Sequence, residues 1–282
     1  MTGTYSPALV ALSIAIAVAA SYVALDLAGR TSSARGRARL LWLLGGATSM
    51  GLGIWSMHYV GTPASALPVP VRYDLPLVFA SLLAAVCASG VALFVVSRAR
   101  LGPASAILGG VVMGVGIAAM HFIGMLATRA DVVHEWNPQA VMLSVLIAIA
   151  VSLIAVWLAF HLRGETRDVT RLKVAAAFVM GAAIAAMHYA GMAGVSFVPG
   201  PVRHDARAVD ISTLGLIGIV VVALAALALT MISAALNRRL AQQARPSPAA
   251  RSATGCCSTA ACPGCTRARS TAACWIATMP SR

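Results

Sequence analysis

Seven apolar runs, each long enough to cross about 30 Å of hydrocarbon as a helix, dominate this chain. They lie near residues 7–28, 40–62, 76–97, 104–127, 139–162, 174–198 and 212–236. Hydrophobic residues make up 60% of the chain and charged residues only 10%, a balance outside the range of soluble domains. The runs are continuous and lack the alternation of a transmembrane barrel. The sequence therefore predicts an all-α membrane protein with seven transmembrane helices.

Basic residues are distributed unequally between the two ends of these helices. Thirteen follow helices 1, 3, 5 and 7, whereas four follow helices 2, 4 and 6. The larger group consists of Arg30, Arg35, Arg37, Arg39, Arg98, Arg100, Arg163, Arg167, Arg171, Lys173, Arg238, Arg239 and Arg245. Because cytoplasmic loops are enriched in Lys and Arg, the N-terminus is predicted outside and the C-terminus in the cytoplasm. The net charge of +13 thus indicates contact with the lipid bilayer and no nucleic-acid partner.

One motif occurs three times along the chain. It reads MGLGIWSMHYVGT from Met50, MGVGIAAMHFIGM from Met113 and MGAAIAAMHYAGM from Met180, at intervals of 63 and 67 residues. Each copy lies on an even-numbered helix, so the three copies share one orientation in the membrane. We expect three two-helix pseudo-repeats around an axis along the membrane normal, preceded by helix 1 as a leading helix. The motif histidines then lie at one depth and can converge.

The histidines and methionines of the motif are candidate metal ligands. Imidazole and thioether are neutral, borderline-to-soft donors that suit copper, especially Cu(I). The candidates are His58, His121, His188, Met57, Met120, Met125, Met187 and Met192, with Met50, Met113 and Met180 as secondary candidates. The sequence contains no recognisable nucleophile, paired carboxylate or phosphate loop. We therefore expect ligands without catalytic residues, and a chain that is not an enzyme.

Other interpretations of the motif remain open. A buried histidine can hydrogen-bond within a bundle, and methionine is common packing material. A copper transporter or channel would also use methionines and histidines, but it would need further ligands deeper in the membrane. A membrane redox protein could hold haem between two of the histidines. The aromatic residues that follow the histidines, Tyr59, Phe122 and Tyr189, are assigned to packing near the interface.

The three motif copies resemble the MHYT integral-membrane sensor domain. The resemblance rests on Met57-His58-Tyr59-Val60-Gly61, Met120-His121-Phe122-Ile123-Gly124-Met125 and Met187-His188-Tyr189-Ala190-Gly191-Met192. It implies a bacterial inner-membrane signalling protein that binds copper near the outer face and senses oxygen, carbon monoxide or nitric oxide. It also implies an output through cytoplasmic cyclic di-GMP domains or a separate signalling protein. Thr62 replaces the last methionine in the first copy.

The resemblance covers about residues 5–240, which we expect to be one seven-helix sensor domain. The remainder, residues 241–282, changes character: it is rich in Arg, Ala, Ser and Thr and holds five of the six cysteines. It shows no helical or strand period, and nothing after Arg245 resembles an output domain. We interpret residues 241–282 as a disordered cytoplasmic tail or as the product of a frameshift.

Overall fold

Helices make up most of the structure, a computed structural model that describes residues 6–65, 72–129, 132–163, 167–199, 208–210 and 213–243. The α-helices of this part are α1 (Pro7–Ser33), α2 (Gly36–Gly61), α3 (Leu75–Val96), α4 (Pro103–Ala127), α5 (Pro138–His161), α6 (Arg167–Ala193) and α7 (Thr213–Gln243). The strands are β1 (Arg72–Asp74), β2 (Thr128–Arg129), β3 (Val132–Trp136), β4 (Val195–Pro199) and β5 (Ala208–Asp210). A short 3₁₀ turn, Thr62–Ala64, follows α2.

Several helices begin where the sequence carries a start signal. A proline lies in the first two positions of α1, α3, α4 and α5, where its missing N–H has no intrahelical partner to lose. The Asp74 side chain accepts a hydrogen bond from the backbone of Leu77 at the start of α3. Asn137 does the same for Gln139 and Ala140 at the start of α5. These caps fix where the apolar segments enter the bundle.

The first six helices form a closed ring. Each packs against the next along the chain, and α1 packs against α6. We expected α1 as a leading helix, and its contacts with both α2 and α6 complete the ring. Glycine allows three of the close approaches, because a Cβ at Gly51, Gly114 or Gly181 would overlap the backbone of a neighbouring helix. The residues overlapped are Val86 on α3, Ile149 on α5 and Val18 on α1, respectively.

Six helices of the described residues, α1 to α6, are long and apolar enough to cross a membrane. The seventh, α7, contributes a shorter apolar stretch, Ile217–Ser233, so the predicted seventh span stays a prediction. The chain divides into two compact units at Met231. Within the first unit, α7 lies against α2, where Thr230 donates a hydrogen bond to Ser49 at 3.0 Å. The second unit begins at Ile232, and its described part is the end of α7.

Two small antiparallel sheets follow the ends of α2, α4 and α6, and no strand was predicted there. Strand β1 pairs with β2 and β5, and β3 pairs with β4. The predicted end of the sixth span at residue 198 is wrong, because α6 ends at Ala193 and Val195–Pro199 forms β4. The run Val-Ser-Phe-Val-Pro is apolar enough to extend a hydropathy window. Its backbone pairs with β3, which a hydropathy window does not register.

Three charged side chains are buried between α1 and α6. Arg30 and Asp26 form an ion pair with 2.7 Å between Nε and Oδ2, and Lys173 Nζ lies 3.8 Å from the other carboxylate oxygen. Their side chains are at most 7% exposed. A buried carboxylate facing two cations holds two helices together, and removing one charge leaves an expensive imbalance. The cluster therefore fixes the closure of the ring.

Replacing this carboxylate should weaken the fold. We expect Asp26→Asn to lower the free energy of unfolding by about 3 kcal/mol, because Arg30 and Lys173 would lose the negative charge between them. Thermal unfolding of the purified chain in detergent measures the effect. The control is Arg37→Ala, which removes an exposed charge at the start of α2 and should change little. Equal melting temperatures for Asp26→Asn and the native chain would contradict the assignment.

The C-terminal predictions cannot be compared with the structure. Residues from 244 onward, which include most of the predicted tail at 241–282, lie outside the described residues. The disordered or frameshifted tail and the domain boundary near residue 240 therefore stay predictions.

Candidate metal centre

The three motif histidines are fully buried on three helices of the ring. His58 lies on α2, His121 on α4 and His188 on α6, each one to two turns before the helix ends. None is more than 1% exposed. These helix ends lead into the strands and the 3₁₀ turn, so the site lies beneath the two small sheets. The three histidines hold the same place in their motif copies, so they lie at one depth in the bundle.

The ring nitrogens of the three histidines meet at one point. The Nδ1 atoms of His58 and His121 are 3.2 Å apart, and Nδ1 of His188 lies 3.3 Å from each of them. The three imidazole planes are close to perpendicular to one another, with interplanar angles of 81°, 88° and 89°. In the described part of the chain, this is the only cluster of three or more His, Cys, Asp or Glu side chains with metal-ligand spacing.

This triangle cannot be satisfied by hydrogen bonds among its members. In a neutral imidazole each nitrogen is either a donor or an acceptor. With three nitrogens in mutual contact, at least two must be of the same kind, so one of the three contacts always sets two donors or two acceptors against each other. Buried polar groups that lack a partner destabilise a fold, most of all in hydrocarbon. The arrangement calls for a further group at its centre.

A metal ion fits the triangle. For an equilateral triangle with sides of 3.3 Å, the point equidistant from the three nitrogens lies about 1.9 Å from each, close to the roughly 2.0 Å of a metal–imidazole bond. All three donors are neutral, and the group contains no carboxylate among the described residues. A borderline or soft cation of low charge suits this set better than Mg²⁺ or Ca²⁺.

Three glycines make room for the imidazoles in a cyclic order. A Cβ at Gly124 on α4 would overlap the ring of His58 on α2, and a Cβ at Gly191 on α6 would overlap His121 on α4. A Cβ at Gly61 on α2 would in turn overlap His188 on α6. Each Nε2 atom is buried against that neighbouring helix. The glycines thereby set the distance between the helices at the depth of the histidines.

Sequence reasoning did not single out these glycines. Each follows its motif histidine by three residues, so the signal was the His-to-Gly spacing that recurs in all three copies. Metal ligation is a property of side chains, whereas the function of Gly61, Gly124 and Gly191 depends on the absence of one.

The predicted methionine ligands are all buried. Met57 packs with Ile16 and Ile184, whereas Met120 and Met187 belong to the largest apolar cluster. Met125 and Met192 pack with Val195 and Trp136 beneath the strands.

The secondary candidates Met50, Met113 and Met180 line a cavity closer to the opposite end of the helices. The structure thus brings the three histidines together, and the role of the methionines as ligands stays a prediction.

The aromatic residues next to the histidines also form polar contacts. The Tyr59 and Ser81 hydroxyl oxygens are 3.3 Å apart, and those of Tyr189 and Ser13 are 2.9 Å apart. Each contact links an even-numbered helix to an odd-numbered one. Outside the helices, Tyr73 on β1 packs against Tyr59, and burial, with the neighbouring Tyr59, raises the pKa of the Tyr73 hydroxyl. These tyrosines therefore do more than the packing that the sequence suggested.

A bundle of membrane-length helices around a buried histidine triad defines a polytopic membrane protein with a polar centre in its core. The chain belongs to the MHYT family: the profile described as "Bacterial signalling protein N terminal repeat" matches residues 1–41, 51–109, 114–170 and 181–244. It is a multi-pass inner-membrane signalling protein of the type used as a sensor. No solved structure matches the chain.

Curated relatives share this region as part of larger proteins. The chain is 44% identical over 241 residues to the bifunctional diguanylate cyclase/cyclic di-GMP phosphodiesterase MucR of Pseudomonas aeruginosa, covering 85% of this chain and 35% of MucR. It is 40% identical over 227 residues to the cyclic di-GMP phosphodiesterase NbdA of the same species, covering 79% of this chain and 29% of NbdA. The signaling protein YkoW of Bacillus subtilis is 38% identical over 197 residues, covering 69% of this chain and 24% of YkoW. The chain thus spans about a third or less of the length of these relatives.

Filling the glycine space should disturb the histidines. We expect Gly124→Ala to destabilise the bundle by about 1–3 kcal/mol, because its methyl group overlaps the His58 ring. The control is Gly45→Ala on α2, where nothing lies within 4 Å of the added Cβ and the change should be neutral or stabilising. Thermal unfolding in detergent compares the two variants.

A double variant separates crowding at the histidine from a general effect of the methyl group. If Gly124→Ala acts through His58, its cost should shrink in a His58→Ala background, where the ring is absent. An equal cost in both backgrounds would show that the glycine has another function.

Proposed function

We propose that this chain is a membrane sensor that holds one copper ion between His58, His121 and His188 and responds to a diatomic gas. The observation that carries the proposal is the triangle of Nδ1 atoms, 3.2–3.3 Å apart in a fully buried site. Family membership supports the signalling function. The unsatisfied contacts within the triangle support a bound cation.

Copper is favoured over other metals by the surroundings of the site. The donors are neutral, the neighbouring side chains are thioethers and aliphatic groups, and a buried charge of +1 costs less than one of +2. We include Met57, Met120, Met125, Met187 and Met192 as further candidate ligands, with Met50, Met113 and Met180 as secondary ones. When bound, Cu(I) would supply a soft centre able to take oxygen, carbon monoxide or nitric oxide.

The protein's own residues hold this centre and exclude water from it. Each histidine comes from a different helix, so the nitrogen triangle changes shape when any one of α2, α4 and α6 shifts. The Tyr59–Ser81 and Tyr189–Ser13 contacts connect such a shift to α3 and α1. We infer that gas binding biases the helix packing and that α7 transmits the change toward the cytoplasm.

The names of two relatives suggest the output. MucR and NbdA are named for making or degrading cyclic di-GMP. We propose that the signal from this chain reaches cyclic di-GMP turnover, through an output domain or a separate signalling protein. In this proposal the chain itself senses the gas and catalyses no reaction.

We also propose the membrane arrangement that the sequence predicted: seven spans, three helix-pair pseudo-repeats, and an N-terminus outside. Two observations support the pseudo-repeats. The histidine-to-glycine contacts run cyclically from α2 to α4, α4 to α6 and α6 to α2. The close glycine contacts of α2, α4 and α6 likewise fall at equal motif positions.

Metal analysis tests the centre directly. We expect about one copper per chain in detergent-purified protein reconstituted with Cu(I), and X-ray absorption with nitrogen scatterers near 2.0 Å. His121→Ala should lose copper, because two imidazoles cannot replace three, while the helical circular dichroism spectrum is retained. The matched control is His161→Ala, which removes an exposed histidine at the end of α5 and should keep the metal.

Other outcomes of the metal analysis discriminate among the proposed ligands. A Met57→Leu variant that binds copper as tightly as the native chain removes Met57 from the ligand set but leaves the histidine centre in place. Unchanged copper content after replacement of all three histidines would contradict the proposal.

Reporter fusions test the orientation. With the N-terminus outside and seven spans, alkaline phosphatase fused after Gln243 should be inactive, because it stays in the cytoplasm, and a fluorescent protein fused there should fluoresce. A fusion after Ser65, between α2 and α3, should give active phosphatase. Active phosphatase after Gln243 would rule out seven spans with the N-terminus outside.

A further inference from the structure

A cavity lies inside the ring, on the side of the histidine centre that faces the beginnings of α2, α4 and α6. Its volume is about 40 Å³. Each helix of the ring contributes to its wall, including Ala24 on α1, Ala92 on α3 and Ala155 on α5. The methionines that begin the three motif copies, Met50, Met113 and Met180, all line it. The cavity therefore lies at the centre of the bundle.

The cavity and the histidine centre belong to one column of buried side chains. Each cavity methionine precedes its motif histidine by eight residues, about 12 Å along a helix. Met57, Met120 and Met187 lie seven residues after the cavity methionines and so on nearly the same helix face. These three are at most 2% exposed. Along each helix they lie between the cavity methionine and the motif histidine, and their thioether side chains are flexible.

The chemistry of the wall selects an uncharged, apolar occupant. The lining consists of alanine, valine, leucine, isoleucine and methionine side chains with a single serine, Ser21. It contains no charged group among the described residues, so an ion would lose its hydration without compensation. The volume exceeds the roughly 10–15 Å³ that one water needs, but water also needs two or more polar partners, and apolar cavities of this kind stay dry and bind small apolar molecules.

The membrane supplies such molecules. Oxygen, nitric oxide and carbon monoxide are small and nearly apolar, and apolar solutes favour hydrocarbon over water. A cavity of about 40 Å³ with an apolar wall has room for a diatomic molecule. Gas dissolved in the bilayer core therefore meets the bundle without first crossing a polar layer.

We infer that the cavity lined by Met50, Met113 and Met180 is a docking site for a diatomic gas, from which the gas reaches the histidine centre past Met57, Met120 and Met187. This inference deepens the proposed sensor function and rests on it for the physiological ligand. The docking itself depends only on the cavity, so it is independent of whether copper binds.

Xenon, an apolar atom of comparable size, provides the test. In nanodiscs holding the full chain with ¹³C-methyl methionine, the resonances of Met50, Met113 and Met180 should shift saturably as xenon pressure rises. Met142, which is 62% exposed on α5, is the internal control and should respond linearly, as expected for a methyl group that meets xenon dissolved in lipid. No saturable shift at the three cavity methionines of the folded native chain would overturn the inference.

Matched variants locate the site. Ala24→Leu and Ala155→Leu fill the cavity from two different helices and should abolish the saturable shifts. Ala15→Leu makes the same change at an exposed position of α1 and should retain them. Saturable shifts that persist in both filled variants, with the fold intact, would also overturn the inference.

The same samples separate this inference from the copper proposal. The His58→Ala/His121→Ala/His188→Ala variant should lose copper but keep the saturable xenon shifts. A native chain that binds xenon and no copper would leave the docking site in place and contradict the sensor centre. If copper is bound, carbon monoxide should associate at least several-fold more slowly in Ala24→Leu than in Ala15→Leu. Equal association rates would overturn the proposed route.

Discussion

The mutual contact of three imidazoles in hydrocarbon is the constraint on which the rest of the structure depends. Three neutral ring nitrogens within 3.3 Å of one another cannot all be paired with one another, and their burial separates them from bulk water. The bundle must therefore hold the imidazoles together by packing alone, unless a cation occupies their centre. This explains why the surrounding helices approach each other so closely.

The close approach is achieved with glycine at two depths. Gly61, Gly124 and Gly191 accept the imidazole rings, while Gly51 and its equivalents accept neighbouring backbones about ten residues earlier. The buried Asp26–Arg30 pair, with Lys173 beside it, fixes α1 against α6 near the other end of these helices. The ring is thus closed by polar contacts at both ends and by small residues in between. The cavity lies near the level of Gly51 and its equivalents, and the neighbouring Met50, Met113 and Met180 line it.

Much of this structure could be predicted from local sequence. The apolar runs predicted α3, α4 and α5 to within about one residue at each end. A helix that crosses the bilayer needs an apolar run of about its own length, so the run marks both ends of the helix. The repeat placed the three histidines at one depth. The strands could not be predicted, since β3 and β4 pair across 60 or so residues and their side chains resemble a continued helix or a polar loop.

The contacts within the site were also beyond prediction from sequence. Nothing in the motif distinguishes Nδ1 from Nε2 as the atom that faces the centre, because that depends on the rotation of α2, α4 and α6. The pairing of Asp26 with Arg30 is readable as an i, i+4 spacing, but the approach of Lys173 from α6 is not. Likewise, the serines that meet Tyr59 and Tyr189 lie on helices that carry no copy of the motif.

The cyclic order of the histidine and glycine contacts means that the centre is indivisible. His58 contacts a glycine of α4, His121 one of α6 and His188 one of α2. Each imidazole therefore rests on a glycine of another helix. A single helix hairpin has neither a complete ligand set nor a complete wall. Any two of α2, α4 and α6 supply only two of the three imidazoles and one of the three histidine–glycine contacts, so the complete centre requires all three helices together.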